Sequence, residues 1–250
     1  MVLEMKIGIT AKVIYDPEIE PVVNNGVLDY GTTKRVIDPI DEASIAAVVK
    51  FKEIYPSIII TVICLAKESD NELFKYVMGM GVDEVMFIKI INYDDSVIDG
   101  LTKAKVLKRL VVVEKYDLIV TGKASSDNNS GFVGPALATF LGWCQLYYVC
   151  ELVDKNVDQL TVRCKLNNRI MTFVTKLPCV LVCEFDRSEE YVSMFDLIRS
   201  KNKKIRVKVM NKLDLIYSSC ISVVNYAIPK RIRKKIALNN VNSLMTTLFS

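Results

Sequence analysis

The stretch DLIVTGKASSDNNSGFVGP, residues 117–135, contains the pattern that decides the fold. It begins with Leu118, Ile119 and Val120, a short apolar run of the kind found in strands that are buried on both faces. A run of small polar residues follows, and Gly134-Pro135 then opens another apolar segment. A buried strand, a polar loop and a second apolar element in this order indicate a βαβ unit and therefore a parallel sheet.

The same alternation extends over the first two-thirds of the chain. Strands are predicted at 6–10, 57–64, 84–88 and 117–121, and helices at 39–55, 72–78 and 94–114. The first helix has the clearest start, because Asp38 is a good N-cap and Pro39 suits the first helical position. Asp41 and Glu42 complement the positive end of its dipole.

The pattern changes after Trp143. Antiparallel strands are predicted at 145–152, 160–166 and 170–175, with Asn167-Asn168 as a tight turn between the last two because asparagine tolerates positive φ. A buried strand at 178–183 and a short helix at 194–199 follow. The predicted fold class is α/β, with a mainly parallel nucleotide-binding sheet flanked by helices, an antiparallel hairpin extension and an extended C-terminal arm. We predict a domain boundary at 210, with residues 211–250 forming the arm.

Composition excludes several classes of function. Histidine is absent from all 250 residues, which removes Ser-His-Asp triads, Cys-His dyads and H-E-x-x-H zinc sites. The seven cysteines include no C-x-x-C pair, and their odd number disfavours a disulfide framework. No apolar run approaches the roughly 20 residues of a membrane helix. The start MVLEMKIGIT lacks the pattern of a secretory signal or a transit peptide. We therefore predict no metal site, and any proton chemistry would depend on Asp, Glu, Lys, Tyr or Cys side chains.

Charge is distributed unevenly along the chain. Residues 199–250 contain twelve Lys/Arg and a single acid, Asp214, whereas residues 1–198 carry a net charge of −7. A basic tail of this kind predicts an acidic partner, either nucleic acid or an acidic protein surface.

The loop after the strand at 117–121 has the composition of an anion-binding loop. Gly122 permits a close backbone approach, serines and asparagines between 125 and 130 offer donors, and a helix opening near 131–135 would point its free N–H groups at the loop. Ordinary turn chemistry explains the same residues equally well. The chain has neither G-x-G-x-x-G nor G-x-x-x-x-G-K-[ST], which disfavours a dinucleotide fold and P-loop phosphoryl transfer.

Several segments together resemble the β subunit of electron-transfer flavoprotein. DPIDE at 38–42 with ASIAAVVKFKE at 43–53 is similar to the family's N-P-x-D-E-x-A-x-E-x-A-x-x-L-K-E. MGMGVD at 78–83 resembles A-L-A-M-G-A-D, and YDLIVTGK at 116–123 with Asp127 and V-G-P at 133–135 resembles D-L-x-x-x-G-x-x-x-x-D followed by Q-V-G-P. Residues 177–205 resemble the family's L-P-A-V, loop and lysine-rich run. The matches keep their order over roughly residues 5–210, which makes them jointly more specific than any single motif.

The resemblance implies a structural AMP in this chain and an FAD held mostly by a partner α subunit. Carried over position by position, the implied nucleotide contacts are Thr10, Asp38, Pro39, Ile40, Asp41, Cys64, Gly122, Lys123, Ala124, Ser125, Ser126, Asp127, Asn128, Asn129, Ser130, Gly131, Phe132 and Val133. Four positions depart from the family: Phe132 replaces a glutamine, Asp38 replaces the usual asparagine, and Ser130 and Gly131 differ from the common residues. Since a carboxylate near a phosphate repels it, Asp38 is expected to serve as the helix cap.

The resemblance also implies a surface that docks on flavin dehydrogenases, such as acyl-CoA dehydrogenases. The implied recognition residues are Tyr191, Met194, Phe195, Arg199, Lys201, Lys203 and Lys204. Met194 and Phe195 occupy the place of the family's leucine anchor and the proline after it, so the anchor stays apolar. The lysines would steer acidic partners. A helix face packed on the chain's own core and a solvated charge run remain alternatives.

The expected function is electron transfer from such dehydrogenases towards the respiratory chain, through a quinone-reducing oxidoreductase, in the bacterial cytoplasm or the mitochondrial matrix. An alternative within the family is a bifurcating form that holds a second FAD in place of AMP. Alternatives from other classes are an ATP-using ligase or hydrolase, whose S-G-G-x-D-S loop is absent, and a nucleic-acid binder that uses the basic tail. The lack of aromatic residues in KRIRKKIALNN disfavours base stacking.

Overall fold

The computed structural model describes residues 4–65, 70–91, 98–186, 192–200 and 205–211, with short stretches at 221, 223–228, 240–242 and 244–245. Its strands are β1 (Met5–Tyr15), β2 (Val22–Asn24), β3 (Val27–Asp29), β4 (Arg35–Ile37), β5 (Ile58–Leu65), β6 (Glu84–Ile91), β7 (Leu118–Gly122), β8 (Cys144–Lys155), β9 (Gln159–Leu166), β10 (Arg169–Lys176), β11 (Cys179–Cys183) and β12 (Arg206–Asn211). Its helices are α1 (Pro39–Ile54), α2 (Asn71–Gly79), α3 (Gly100–Glu114), α4 (Val133–Leu141) and α5 (Met194–Ser200).

One large sheet organises the domain. Its strand order is β10-β9-β8-β11-β7-β1-β5-β6-β12, and every pair from β8 to β12 is parallel. The pairs β10–β9 and β9–β8 are antiparallel and form the hairpin extension. The predicted fold class is confirmed for this mainly parallel sheet and its antiparallel extension.

The central strands are mostly apolar, as expected where helices cover both faces of a sheet. On one face, Ile45 and Val48 of α1 and Phe74 of α2 pack in a cluster with alternate residues of β1 and β5. On the other face, α3 and α4 contribute Leu107 and Leu137 to a second cluster. Both faces of the sheet are therefore closed, and its carboxyl edge is where the connecting loops can hold a ligand.

Local signals in the sequence predicted several elements well. Asp38 caps α1 by accepting a hydrogen bond from the Ile40 N–H at 3.0 Å. Asn167 and Asn168 form the β9–β10 turn with φ values of 45° and 61°.

The cysteines in the described part of the chain are all free thiols. No helix in that part is both long and apolar enough to span a bilayer.

Other elements differ from the prediction. The helix predicted from 94 begins at Gly100, with Asp99 as its N-cap, while positions 94–97 lie outside the described residues. The short strands β2, β3 and β4 were not predicted, because three-residue elements carry too little periodicity.

The start of the basic tail is also part of the sheet. Residues predicted to lie in the tail form β12, which pairs with β6. Arg206 makes ion pairs with Glu84 at 3.1 Å and Glu114 at 2.7 Å, and Lys208 lies 3.5 Å from Glu114. Part of the tail's positive charge is thus matched within this chain.

Candidate functional site

The strongest candidate site lies where the direction of the sheet's connections reverses. From β1 the chain proceeds through α1 to β5 on one side, whereas β7 lies beside β1 on the other side. In an open α/β sheet, the crevice beyond the carboxyl ends of the strands at such a point is where ligands bind. The loop between β7 and α4, residues 123–132, begins at this edge.

Asp38 ties this loop to the first turn of α1. The side chain is fully buried. One carboxylate oxygen caps Ile40 and also accepts a hydrogen bond from the Ser126 hydroxyl at 2.8 Å. The other accepts a hydrogen bond from the Ser126 N–H at 2.7 Å. The predicted capping role is confirmed, and the same carboxylate additionally anchors the loop.

Asp41 lies beneath the loop and is almost fully buried. Its carboxylate accepts a hydrogen bond from the Lys12 N–H at 2.8 Å. Burial raises the pKa of Asp41 well above its usual range, and the nearby charge of Asp38 raises it further, while hydrogen bonds from the backbone of Lys12 and Gly122 oppose the rise. The surroundings of Asp41 thus shift its titration towards the neutral form.

Lys12 reaches from β1 to the loop. Its ammonium lies 2.6 Å from one carboxylate oxygen of Asp127 and 2.7 Å from the other, and it donates to the Ser125 hydroxyl at 3.3 Å. The Ser125 hydroxyl lies 2.8 Å from an Asp127 carboxylate oxygen and 2.9 Å from the Asn128 side-chain oxygen, and its single proton is donated to one of them at a time. Burial alone would raise the pKa of Asp127, but the hydrogen bond and charge of Lys12 outweigh it and lower the pKa. Lys12 was not among the predicted site residues.

Two glycines allow the backbone of the loop to pass close to its surroundings. A Cβ atom at Gly122 would lie 2.8 Å from an Asp41 carboxylate oxygen and 3.0 Å from a methyl carbon of Ile40. Gly131 has φ of 58°, and a Cβ atom there would lie 2.8 Å from the Lys123 carbonyl oxygen. Both ends of the loop therefore depend on the absence of a side chain.

The base of the loop is closed by residues that the sequence did not single out. The Tyr147 hydroxyl donates to the Lys123 carbonyl oxygen at 3.1 Å, and the Lys123 N–H donates to the Cys183 carbonyl at 2.8 Å. The Lys123 ammonium also pairs with Glu184. Tyr147 and Glu184 lie far along the chain from the loop, so no local pattern could have indicated this contact.

Helix α4 begins at the outgoing end of the loop. Its N-cap position is Phe132, which supplies no side-chain hydrogen bond to the first turn. The Phe132 ring instead lies against Gly100 at the start of α3. The backbone N–H groups of the first turn are therefore not capped by a side chain, and such a helix start favours an anion.

The structure brings most of the predicted nucleotide residues together at this edge. Asp38, Pro39, Ile40 and Asp41 lie next to the loop 122–133, whose outer positions 126–130 are exposed. Thr10 and Cys64 lie on the adjacent strands β1 and β5. Cys64 is fully buried among apolar side chains, and burial raises the pKa of its thiol. This thiol belongs to the core more than to the crevice.

The predicted recognition residues are only partly described. Met194 and Phe195 lie in α5 and are 74% and 69% exposed, so the anchor position is an unburied apolar surface. Arg199 lies over the Phe195 ring, 5.7 Å from its centroid. The opposite side of α5 packs on α2, with Leu197 close to Gly79. Tyr191, Lys201, Lys203 and Lys204 lie outside the described residues.

The raised pKa of Asp41 predicts a specific pH dependence. Because the folded protein binds this proton more tightly than the unfolded chain, the free energy of unfolding should fall as pH rises above the ordinary carboxyl pKa of about 4. Asp41→Asn removes the charge and keeps an acceptor for Lys12. We expect its free energy of unfolding, measured in urea between pH 4.5 and 7.5, to fall less with pH than that of the wild type.

The matched control is Asp158→Asn, which removes a charge from an exposed position. This variant should retain the wild-type slope. A wild-type slope in Asp41→Asn would show that the buried carboxyl does not titrate as its environment indicates.

Comparison with known proteins gives a consistent result over nearly the whole chain. Residues 26–208 match the family described as the electron transfer flavoprotein domain. Electron transfer flavoprotein subunit beta of Dictyostelium discoideum is 22% identical over 249 residues, which cover 99% of this chain and 98% of that protein. The Bos taurus protein of the same name is 24% identical over 243 residues, covering 97% and 92% of the two chains, and that of Bradyrhizobium diazoefficiens is 22% identical over 247 residues, covering 98% and 97%.

Proposed function

Because the chain belongs to the electron transfer flavoprotein β-subunit family, we propose that it is one half of a heterodimeric electron carrier and binds a structural AMP in the loop 122–133. An α subunit would hold most of the FAD. When bound, the flavin supplies the redox chemistry, and this chain supplies binding and orientation. No residue of the chain is assigned a catalytic role.

The observation that carries the proposal is the anchoring of the loop at the reversal point of the sheet. Asp38 and Lys12 hold Ser126 and Asp127 in place while the start of α4 keeps its N–H groups uncapped by side chains. Backbone N–H groups at a helix start are donors that suit a phosphate. Gly131, where a Cβ atom would collide with the Lys123 carbonyl oxygen, lets the two ends of the loop approach each other closely.

The two buried carboxyls at this edge are compatible with an anion nearby. Asp38 is engaged by three donors from Ile40 and Ser126, so its charge is already compensated by hydrogen bonds. Asp41 has a raised pKa, which favours its neutral form. The residues present therefore fit an adenylate, in spite of the aspartate at the position of the family's usual asparagine.

The surface around α5 is proposed to dock on flavin dehydrogenases, such as acyl-CoA dehydrogenases. Met194 and Phe195 offer an exposed apolar anchor beside Arg199, which is the composition of an interface hot spot. Tyr191, Lys201, Lys203 and Lys204 are proposed to belong to the same surface.

A quinone-reducing oxidoreductase is the proposed acceptor of the electrons towards the respiratory chain. Residues 211–250 would form the arm that packs on the α subunit. The proposed location of the heterodimer is the bacterial cytoplasm or the mitochondrial matrix.

Co-production with an electron transfer flavoprotein α subunit tests the proposal. We expect a yellow heterodimer that releases FAD and AMP on denaturation, with the nucleotides identified by mass spectrometry. The control is this chain produced alone, which should be colourless.

Each alternative has its own outcome in that experiment. A second equivalent of FAD in place of AMP would identify the bifurcating form. Failure to associate with the α subunit and the absence of any nucleotide would contradict the proposal. Steeply salt-dependent binding of the purified chain to random DNA or RNA would instead support a nucleic-acid function.

A further inference from the structure

We propose that Lys12 is the positioning residue that fixes the loop 122–133 in its nucleotide-binding shape, acting through Asp127. This inference rests on the proposed nucleotide site and assigns a role within it to a residue of β1. The hydrogen bonds of the Lys12 ammonium go to Ser125 and Asp127, and both of these residues belong to the loop. Its effect on a nucleotide is therefore expected to pass through the loop.

The first step is that the loop has two adjacent anchors. Asp38 holds Ser126 through both its backbone N–H and its hydroxyl. Lys12 holds Asp127 through both carboxylate oxygens. Two consecutive loop residues are thus fixed to two different elements, α1 and β1, in the middle of a long loop.

The second step is that the two anchors are joined to each other. The Asp38 N–H donates to the Lys12 carbonyl oxygen at 2.9 Å, and the Lys12 N–H donates to Asp41 at 2.8 Å. The backbone of Lys12 is therefore held by the first turn of α1 on both sides. Because the backbone of Lys12 is already fixed, only the rotamer freedom of its side chain is lost when the ammonium pairs with Asp127.

The third step is that the Lys12–Asp127 pair organises the rest of the loop. The Ser125 hydroxyl lies within hydrogen-bond distance of both Asp127 and Asn128, and the Asn128 side chain accepts from the Ser130 N–H at 3.1 Å. These bonds run inside the loop towards α4. Losing the ammonium would leave the Asp127 carboxylate without its cation and would loosen this chain of contacts.

The test is a double-mutant cycle on the full chain in its heterodimer, with added AMP as the probe. Lys12→Met keeps the length of the side chain and removes its charge, and Asp127→Asn removes the opposite charge. We expect each to weaken AMP binding about fivefold, as for a partly exposed charge-assisted pair. The double variant should bind no more weakly than the weaker single variant, because both changes break one interaction.

Two further variants separate positioning from general destabilisation. Lys12→Arg retains a cation that can reach Asp127 and should restore AMP binding. Lys6→Met makes the same chemical change at the amino end of β1 and should leave AMP binding and the melting temperature at wild-type values.

Four outcomes would overturn the inference. They are unchanged AMP binding in Lys12→Met, no recovery in Lys12→Arg, additive losses in the double variant, and tighter AMP binding in Asp127→Asn. The last outcome would mean that Asp127 competes with the phosphate for Lys12. A wild-type heterodimer that binds no AMP at all would refute the proposed function itself, which distinguishes the two failures.

Discussion

Gly134→Val is expected to lower the free energy of unfolding by about 3 kcal/mol, at the upper end of the usual cost of overpacking a core, and to abolish AMP binding. A Cβ atom at this buried position would lie 2.5 Å from the Thr121 hydroxyl oxygen and 2.8 Å from a methyl carbon of Val182. Both neighbours belong to central strands, β7 and β11, so they cannot move aside without disturbing the sheet. The start of α4 must shift instead, and the end of the nucleotide loop shifts with it.

Urea denaturation and AMP titration of the heterodimer check this prediction. The matched control is Thr139→Val, which introduces the same side chain at an exposed position of the same helix. Its effect on the free energy of unfolding should stay within about 0.5 kcal/mol. Wild-type stability in Gly134→Val would mean that α4 does not approach β7 as closely as described.

Asp38→Ala is expected to have the second largest effect, a loss of about 3 kcal/mol in the free energy of unfolding. The substitution removes the N-cap of α1, which alone is worth about 1 kcal/mol. It also leaves both donors of Ser126 without their acceptor, at about 1 kcal/mol for each lost bond. Because Ser126 is then released, we also expect AMP to bind at least tenfold more weakly. A tenfold change in affinity corresponds to about 1.4 kcal/mol of binding free energy.

Asp38→Asn is the informative comparison. An amide oxygen can still cap Ile40 and accept from the Ser126 hydroxyl, since both bonds use the same carboxylate oxygen. Only the bond from the Ser126 N–H is lost, so a cost of about 1 kcal/mol is expected. Equal losses in the alanine and asparagine variants would show that the negative charge, and not the acceptor geometry, holds the loop.

Much of the fold was predictable because its signals are local. The continuous apolar run of β5, the Asp38-Pro39 start of α1 and the Asn167-Asn168 turn each specify one element through neighbouring residues. Alternation of strands and helices then implied a parallel sheet. The short strands β2 and β3 gave no such signal, and the late start of α3 depended on Asp99 being the residue that caps it.

The candidate site was predictable only in part. Its loop and Asp38 stood out by composition, capping and resemblance to a family, but Lys12, Tyr147 and Glu184 did not. Lys12 lies 115 positions before Asp127, Tyr147 lies in β8, and Glu184 directly follows β11. The excess of positive charge in the tail predicted an acidic partner outside this chain. Arg206, however, pairs with acidic residues of the same chain, on β6 and at the end of α3.

The sequence by itself determined most of the longer strands and helices and the Asn167-Asn168 turn, and it marked the loop 122–133, since propensity, capping and apolar periodicity act between near neighbours. Only the tertiary structure decided what holds that loop in place: Asp38 and Lys12 reach Ser126 and Asp127 solely because β1 and β7 are adjacent in the sheet. Pairing of strands distant in sequence creates contacts that no local pattern records. The physical reason is that ion pairs and hydrogen bonds depend on separation in space and not along the chain.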